Sequence, residues 1–163
     1  MKVLYALQGT GNGHVARARE IVPILASRCD LDVLVAGTQS QIALEYPIRF
    51  RKFGLTMKYN SSGGVSYWKS FSGNKPLRFI RDVYTLPVKG YDLVIIDFEA
   101  ITSYACLIRG VKSLQLSHQA AYWSSRTPRP PRSVWLWEFI LRYMSPSAFK
   151  IGFHFSAYDS FIL

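Results

Sequence analysis

A glycine-rich loop that ends in a histidine follows the first apolar run of the chain, and its residue types could support chemistry. The segment reads Gly9-Thr10-Gly11-Asn12-Gly13-His14. Glycines between a strand and a helix let the backbone approach a ligand closely, and the helix N-terminus favours negative charge there. The dinucleotide-binding pattern GxGxxG would need glycine at His14, and a P-loop would need a GK[ST] sequence that the chain lacks. The loop therefore predicts a phosphorylated ligand of another class, or a structural turn without a ligand.

His14 and Asp97 form a candidate acid–base pair. A neutral imidazole beside the start of a helix can act as a general base near pH 7. Asp97 ends a second apolar run, where its carboxylate could accept a hydrogen bond from His14 and stabilise the cation formed on proton abstraction. A lone histidine is often structural, and Asp97 could instead cap the helix that begins near Ala100. Both alternatives remain open at this point.

Weaker candidates lie at two strand ends. Glu99 shares the junction that follows Asp97, and His118 and Gln119 follow a later apolar run, where they would either contact a substrate or close the strand. The three histidines are scattered at 14, 118 and 154, which is not a zinc-ligand spacing, and no GxSxG sequence is present. The sequence therefore predicts neither a metal site nor a covalently bound cofactor.

The elements that must position these residues alternate between strands and helices. Strands are predicted at 2–7, 31–36, 92–96 and 112–116, with one or two within 48–58 and another within 149–155. Helices are predicted at 15–27, 39–45, 76–86, 101–109 and 133–143. Pro23 favours a kink or an early end of the first helix, and 60–66 reads as a loop. Continuous apolar strands that alternate with helices predict a doubly wound α/β domain with a parallel sheet, which binds ligands at the carboxyl ends of its strands.

Composition and net charge further narrow the class of protein to which the chain can belong. The chain has 163 residues, 49% of them hydrophobic, and a formal charge of +10; this length and apolar content exclude a disordered chain. The first apolar run stops at Gln8, which is too early for the apolar core of a signal peptide. The two cysteines, Cys29 and Cys106, are expected to be reduced thiols of a cytoplasmic protein. The segment 49–81 holds eight basic residues and no acidic one. Such a run either attracts phosphorylated substrates, anionic lipid or nucleic acid, or is a solvated basic face.

Two stretches together resemble the N-terminal half of GT-B glycosyltransferases. The opening strand followed by GTGNGH is similar to the start of the N-acetylglucosaminyltransferase of peptidoglycan lipid synthesis and of the UDP-glycosyltransferases. The stretch YDLVIIDFEAITSYACLIRGVKSLQLSHQ is similar to the family segment in which a strand ends in Asp and a later strand ends near a His-Gln pair. The resemblance implies a Rossmann-like domain that binds the acceptor and a second domain that binds a nucleotide-diphosphate sugar as co-substrate.

The resemblance also implies roles for the candidate residues. The histidine that matches His14 deprotonates the acceptor hydroxyl, the aspartate that matches Asp97 orients it, and the sugar transfers with inversion. The Asp97 role is not shared by every branch. The loop from Gly9 to Gly13 would approach the acceptor and the donor diphosphate, and His118 and Gln119 fall at an acceptor-side HEQ-like motif whose middle Glu is missing here.

The resemblance leads us to expect that residues 1–163 are one acceptor-binding domain without its donor-binding domain. The chain would then be an excised half or one subunit of a split enzyme, as in the dolichol-linked N-acetylglucosaminyltransferase, and inactive alone. An alternative is a stand-alone module that binds a phosphorylated or anionic ligand without catalysis. A nucleic-acid binder, with Tyr59, Tyr67, Trp68 and Phe71 as stacking groups, lacks any recognition motif, so nucleic acid is not an expected partner.

A membrane surface is a further partner that the sequence raises. Arg126, Arg129 and Arg132 precede Trp135 and Trp137, and basic residues with interfacial tryptophans suit the inner face of an anionic membrane and a lipid-linked acceptor. The competing prediction, which we favour, is that the apolar residues of this helix pack on the sheet (Trp135, Leu136, Phe139, Ile140 and Tyr143).

Overall fold

A six-stranded parallel sheet forms the centre of the molecule. The computed structural model describes residues 1–37, 40–55, 74–129 and 135–163. The strand order is β3-β2-β1-β4-β5-β6, and every pairing between neighbours is parallel. The strands are β1 (Lys2–Gln8), β2 (Asp30–Ala36), β3 (Phe50–Lys52), β4 (Leu93–Asp97), β5 (Ser113–Ser117) and β6 (Phe149–Gly152). This sheet confirms the predicted α/β fold.

Helices cover both faces of the sheet because successive side chains of a strand point to opposite sides. The helices are α1 (Asn12–Ala26), α2 (Pro76–Thr85), α3 (Ala100–Arg109) and α4 (Trp135–Tyr143). Val3, Tyr5 and Leu7 of β1 pack with α1, whereas Leu4 and Ala6 pack with the side that α2 and α3 cover. The sheet is therefore doubly wound, and its central strands are buried on both faces.

Two helix predictions need correction. Helix α1 does not end at Pro23 but continues to Ala26, and the Ser27 N–H donates to the Pro23 carbonyl at 3.1 Å. Pro23 is exposed, so water can satisfy the carbonyl that loses its intrahelical partner. Residues 40–45 form bends instead of a helix. The Ser40 N–H donates to the Gly9 carbonyl at 3.0 Å, which ties this segment to the glycine loop in place of helical bonds.

Helix α2 forms as predicted but buries a different face. The apolar spacing of Leu77, Ile80 and Tyr84 predicts one packed stripe, yet each of these side chains is more than half exposed. We call this stripe the outer face of α2. The helix buries Asp82 and Val83 instead, and Lys52 Nζ lies 3.0 Å from Asp82 Oδ1. A basic partner on β3 therefore accounts for the buried carboxylate.

Of the five apolar side chains of α4 that were predicted to pack on the sheet, three are exposed, Ile140 is half-buried and that of Leu136 lies outside the described part of the structure. Trp135 is 67% exposed, Phe139 54% and Tyr143 45%. We call these three side chains the aromatic face of α4. Some predicted features lie outside the described residues. These are the start of this helix at 133, the loop at 60–66, the stacking groups between 59 and 71, and the part of 48–58 beyond residue 55. Nowhere in the described ranges does a helix have the length and apolar content needed to cross a membrane.

Candidate active site

The glycine loop and Asp97 meet at the carboxyl edge of two adjacent central strands. Strands β1 and β4 pair in parallel with Leu7 opposite Asp97, so the loop that follows β1 lies beside the last residue of β4. Helix α1 begins at Asn12, three residues earlier than the sequence predicts, and His14 therefore lies in its first turn. This is the edge of the sheet at which doubly wound folds bind ligands.

Close packing explains one glycine of the loop but leaves two without a structural need. A Cβ on Gly9 would lie 2.7 Å from the Val35 side chain and 3.3 Å from the carbonyl of Gly37, so Gly9 is required where the loop crosses β2. At Gly11 and Gly13, a Cβ would meet nothing within 4 Å. The first turn of α1 also carries no acidic residue. The open side of the loop thus has room for an anionic group near the N-terminus of the helix.

His14 contacts Asp97 directly. Its Nδ1 lies 2.8 Å from Asp97 Oδ1, and the carboxylate is fully buried whereas 16% of the His14 side chain is exposed. The imidazole stacks on Phe98, with ring centroids 6.1 Å apart and planes 11° apart. Phe98 has φ +55°, a left-handed backbone conformation that is uncommon for a bulky residue and recurs at functional sites. The predicted pairing of the histidine and the aspartate is present in the fold.

Asp97 does not cap the helix that follows it. Glu99 does, because its two carboxylate oxygens accept the N–H groups of Ile101 and Thr102, both at 2.7 Å. The Glu99 side chain is fully buried, and this burial raises its pKa. Glu99 was predicted on the acceptor side, but its carboxylate is turned into helix α3.

Arg17 is the site residue that sequence reasoning missed. Its Nε lies 3.0 Å from Asp97 Oδ2 and its Nη2 lies 2.6 Å from Oδ1, so the guanidinium grips both carboxylate oxygens. The same Nη2 lies 3.0 Å from His14 Nδ1. The spacing of three residues on α1 was the available signal, since side chains at i and i+3 of a helix are neighbours. On the buried side, the Tyr5 hydroxyl lies 3.5 Å from Asp97 Oδ2, and burial together with the Asp97 charge raises the pKa of Tyr5.

His118 and Gln119 lie at the same edge, beyond the end of β5. His118 is exposed, and its Nδ1 lies 3.0 Å from the carbonyl of Phe153. The Phe153 ring lies between His118 and Arg17, whose guanidinium carbon is 5.5 Å from the ring centroid. Gln119 is partly buried and its Oε1 has no hydrogen-bond partner. The structure thus links His118 to the His14–Asp97 pair through one aromatic side chain.

A cleft on the β2–β3 side of the loop brings part of the basic run to the site. It has a volume of about 410 Å³, and Gly9, Ser40, Ile42, Arg51 and Lys52 are among the residues that line it. Within the described part of the chain, no group of three His, Cys, Asp or Glu side chains could hold a metal ion.

A comparison with protein-family models identifies the family of this chain. The model described as Glycosyl transferase family 1 matches residues 1–125, which include the glycine loop, Arg17, Asp97 and His118. The chain belongs to glycosyl transferase family 1. Glycosyl transfer is the activity that the description of this family names.

One solved structure similar to this family 1 chain is the crystal structure of Acinetobacter baumannii MurG. The two share 15% sequence identity with a TM-score of 0.48, and the alignment covers 73% of this chain and 35% of MurG. The chain therefore spans about a third of the MurG chain. No curated protein matches the sequence.

Proposed function

We propose that this chain forms the acceptor side of a glycosyltransferase that moves a sugar from a nucleotide-diphosphate donor to a hydroxyl of a lipid or glycan, with inversion at the sugar. The observation that carries the proposal is the 2.8 Å contact between His14 Nδ1 and the buried carboxylate of Asp97, beside an open glycine loop in a family 1 domain. A general base held by a buried carboxylate at the ligand-binding edge suits the activation of a hydroxyl.

In the proposed reaction, His14 Nδ1 keeps its proton and donates a hydrogen bond to Asp97, which leaves Nε2 free to accept a proton. Nε2 takes the proton of the acceptor hydroxyl while its oxygen forms a bond to the anomeric carbon of the donor sugar. The bond from that carbon to the diphosphate breaks on the opposite face, so a single displacement inverts the configuration. The nucleoside diphosphate leaves with the electron pair, and Asp97 stabilises the imidazolium that has formed.

The glycine loop supports the binding of an anionic group next to this base. Gly11 and Gly13 leave its surface open, and the first N–H groups of α1 have no intrahelical acceptor. The cleft that contains Arg51 adds positive charge on the other side of Gly9. We propose that the loop approaches the diphosphate of the donor and that His118 and Gln119 contact the acceptor from the β5 side.

The proposed enzyme needs a donor-binding domain, in the same full-length protein or as a separate subunit. The donor contacts that we propose for this domain are limited to the glycine loop. We therefore expect residues 1–163 alone to transfer no sugar. A nucleotide-sugar is the proposed co-substrate, with neither a metal nor a bound cofactor in the reaction as we propose it.

Two exposed apolar surfaces support peripheral attachment to the inner face of an anionic membrane, where a lipid-linked acceptor would lie. The outer face of α2 is flanked by Lys75, Arg78 and Arg81, and the aromatic face of α4 lies on a second helix. Apolar side chains bordered by basic ones bind anionic bilayers through both area burial and charge.

Vesicle binding tests this attachment. The chain should co-sediment with vesicles that contain phosphatidylglycerol, less so at high salt and little with pure phosphatidylcholine. Ile80→Ser should weaken the binding, whereas Ile24→Ser, which removes an equally exposed isoleucine from α1, should not. Equal loss from both variants would contradict a role for the outer face of α2.

The activity test uses the full-length protein, or this chain together with its donor-binding subunit. Labelled nucleotide-sugars are screened for transfer to lipid and glycan acceptors, and then His14→Ala is compared with His154→Ala. We expect about a 10²–10⁴-fold loss of turnover for His14→Ala and little change for His154→Ala, because general-base catalysis contributes that much. Near-normal turnover in His14→Ala would refute the role of His14. Ligand binding without turnover in the complete protein would favour a binding module.

A further inference from the structure

Arg17 has no role in the reaction as proposed, yet it makes the closest contacts with Asp97. Its Nε and Nη2 reach the two oxygens of the carboxylate at 3.0 and 2.6 Å. Only 16% of its side chain is exposed, and its partner is fully buried. A guanidinium that holds a carboxylate through two bonds fixes the plane of that carboxylate as well as neutralising its charge.

The same Arg17 nitrogen also meets the base. His14 Nδ1 lies 2.8 Å from Asp97 Oδ1, which can only accept a hydrogen bond, and 3.0 Å from Arg17 Nη2, which can only donate one. A neutral imidazole can satisfy one of these partners at Nδ1 but not both. The shorter contact to a full negative charge favours a proton on Nδ1, which leaves Nε2 as the free base.

We infer that Arg17 is a positioning residue that keeps Asp97 Oδ1 aimed at His14 Nδ1. This inference rests on the proposed role of His14 as the base. The fork of Arg17 prevents rotation of the carboxylate, so Asp97 holds His14 in the tautomer whose Nε2 is unprotonated.

The groups that face His14 come from three elements. Asp97 is contributed by β4, Arg17 by α1 itself, and Tyr5 by β1 through its contact with Asp97. The ring neighbour of the imidazole is Phe98, which carries no charge. His118 is separated from Arg17 by the Phe153 ring. The tautomer of His14 is therefore set chiefly by one anion and one cation, and removal of the cation should be visible in the signals of its ring nitrogens.

Nuclear magnetic resonance of the ¹⁵N-labelled 163-residue chain tests this inference without any assay of turnover. The ring nitrogens of His14, assigned by their loss in His14→Gln, should show a proton on Nδ1 and none on Nε2 at pH 8. In Arg17→Gln, the carboxylate of Asp97 loses the fork that fixes its plane, so the single tautomer of His14 should give way to a mixture of the two. Arg19→Gln, which removes an exposed arginine from the same helix, should leave the single tautomer unchanged.

Arg17→Lys separates the fork from the charge and serves if Arg17→Gln does not fold. A single ammonium cannot bridge both oxygens of Asp97 as the fork does. We therefore expect the two tautomers of His14 to become mixed in Arg17→Lys as well, although the positive charge is kept. A single unchanged tautomer in Arg17→Lys or in a folded Arg17→Gln would overturn the positioning role.

These outcomes differ from those of the proposed function. If the chain shows the expected tautomer and its change in the Arg17 variants, but the complete protein transfers no sugar, the proposed enzyme is refuted and the assignment of Arg17 stands. Loss of turnover in His14→Ala, with no response of His14 to either Arg17 variant, would refute the assignment alone.

Discussion

The ion pair between Arg17 and Asp97 should dominate the stability of the carboxyl edge of the sheet. Its two contacts of 3.0 and 2.6 Å are charge-assisted hydrogen bonds to a fully buried carboxylate. Each such bond contributes about 1.5–3 kcal/mol, and removing one partner of a buried pair costs about 3–5 kcal/mol because the other charge remains buried and unpaired. We expect Arg17→Gln and Asp97→Asn each to lower the free energy of unfolding by about that amount.

A double-mutant cycle measures the coupling between the two residues. Because both single variants lose the same pair, the double variant Arg17→Gln/Asp97→Asn should lose about 2–3 kcal/mol less than the sum of the singles. Urea unfolding followed by circular dichroism gives the four free energies. The control is the cycle of Arg19→Gln and Glu45→Gln, an exposed pair at 3.5 Å whose arginine lies on the same helix, which should couple by less than about 1 kcal/mol. Coupling below about 0.5 kcal/mol at Arg17 and Asp97 would refute the reasoning.

Three further predictions concern glycine packing, a buried acid and the orientation of α2. Gly9→Ala should lose about 1–3 kcal/mol in thermal unfolding, because its Cβ would lie 2.7 Å from a β2 side chain, whereas Gly13→Ala, with nothing within 4 Å, should lose none. Equal losses would contradict the packing argument. Burial raises the pKa of Glu99 in the folded chain. At pH values between the usual pKa of a glutamate and this raised pKa, the folded chain therefore binds more protons than the unfolded chain. The free energy of unfolding of the wild type, relative to that of Glu99→Gln, should therefore rise as the pH falls through this window. Urea unfolding at a series of acidic pH values measures it, and a relative decrease would contradict the prediction. In urea unfolding, Val83→Ala should lower the free energy of unfolding by about 2 kcal/mol and Leu77→Ala by less than about 0.5 kcal/mol, because Val83 is buried and Leu77 is exposed. The opposite order would mean that the helix packs through its apolar stripe.

The acid–base pair was predictable because topology alone brings its members together. An apolar run that ends in a glycine loop and another that ends in Asp97 read as parallel strands, and parallel strands place their carboxyl ends at one edge. His14 and Asp97 are therefore neighbours in any doubly wound sheet that pairs β1 with β4. The family match over residues 1–125 agrees with the resemblance that the same two segments carry.

The partners of that pair were not predictable, since each depends on a choice among nearby residues that local pattern does not distinguish. Asp97 and Glu99 are both acids at a helix start, and only the turn at Phe98, with its positive φ, directs one towards His14 and the other into the cap of α3. Arg17 is one of two arginines on α1, and only the approach of β4 distinguishes it from Arg19.

The sequence by itself determined the α/β class, the central strands and the edge that carries the candidate chemistry, because continuous apolar runs and their polar ends are local properties. The tertiary structure decided how charge and apolar surface are distributed. It places Asp32 3.3 Å from Arg49 and Asp82 3.0 Å from Lys52, so distant acids partly neutralise a run that has none of its own. It also exposes the apolar stripe of α2, since periodicity shows that a helix has two faces, and the contacts of the folded chain select which of them is buried.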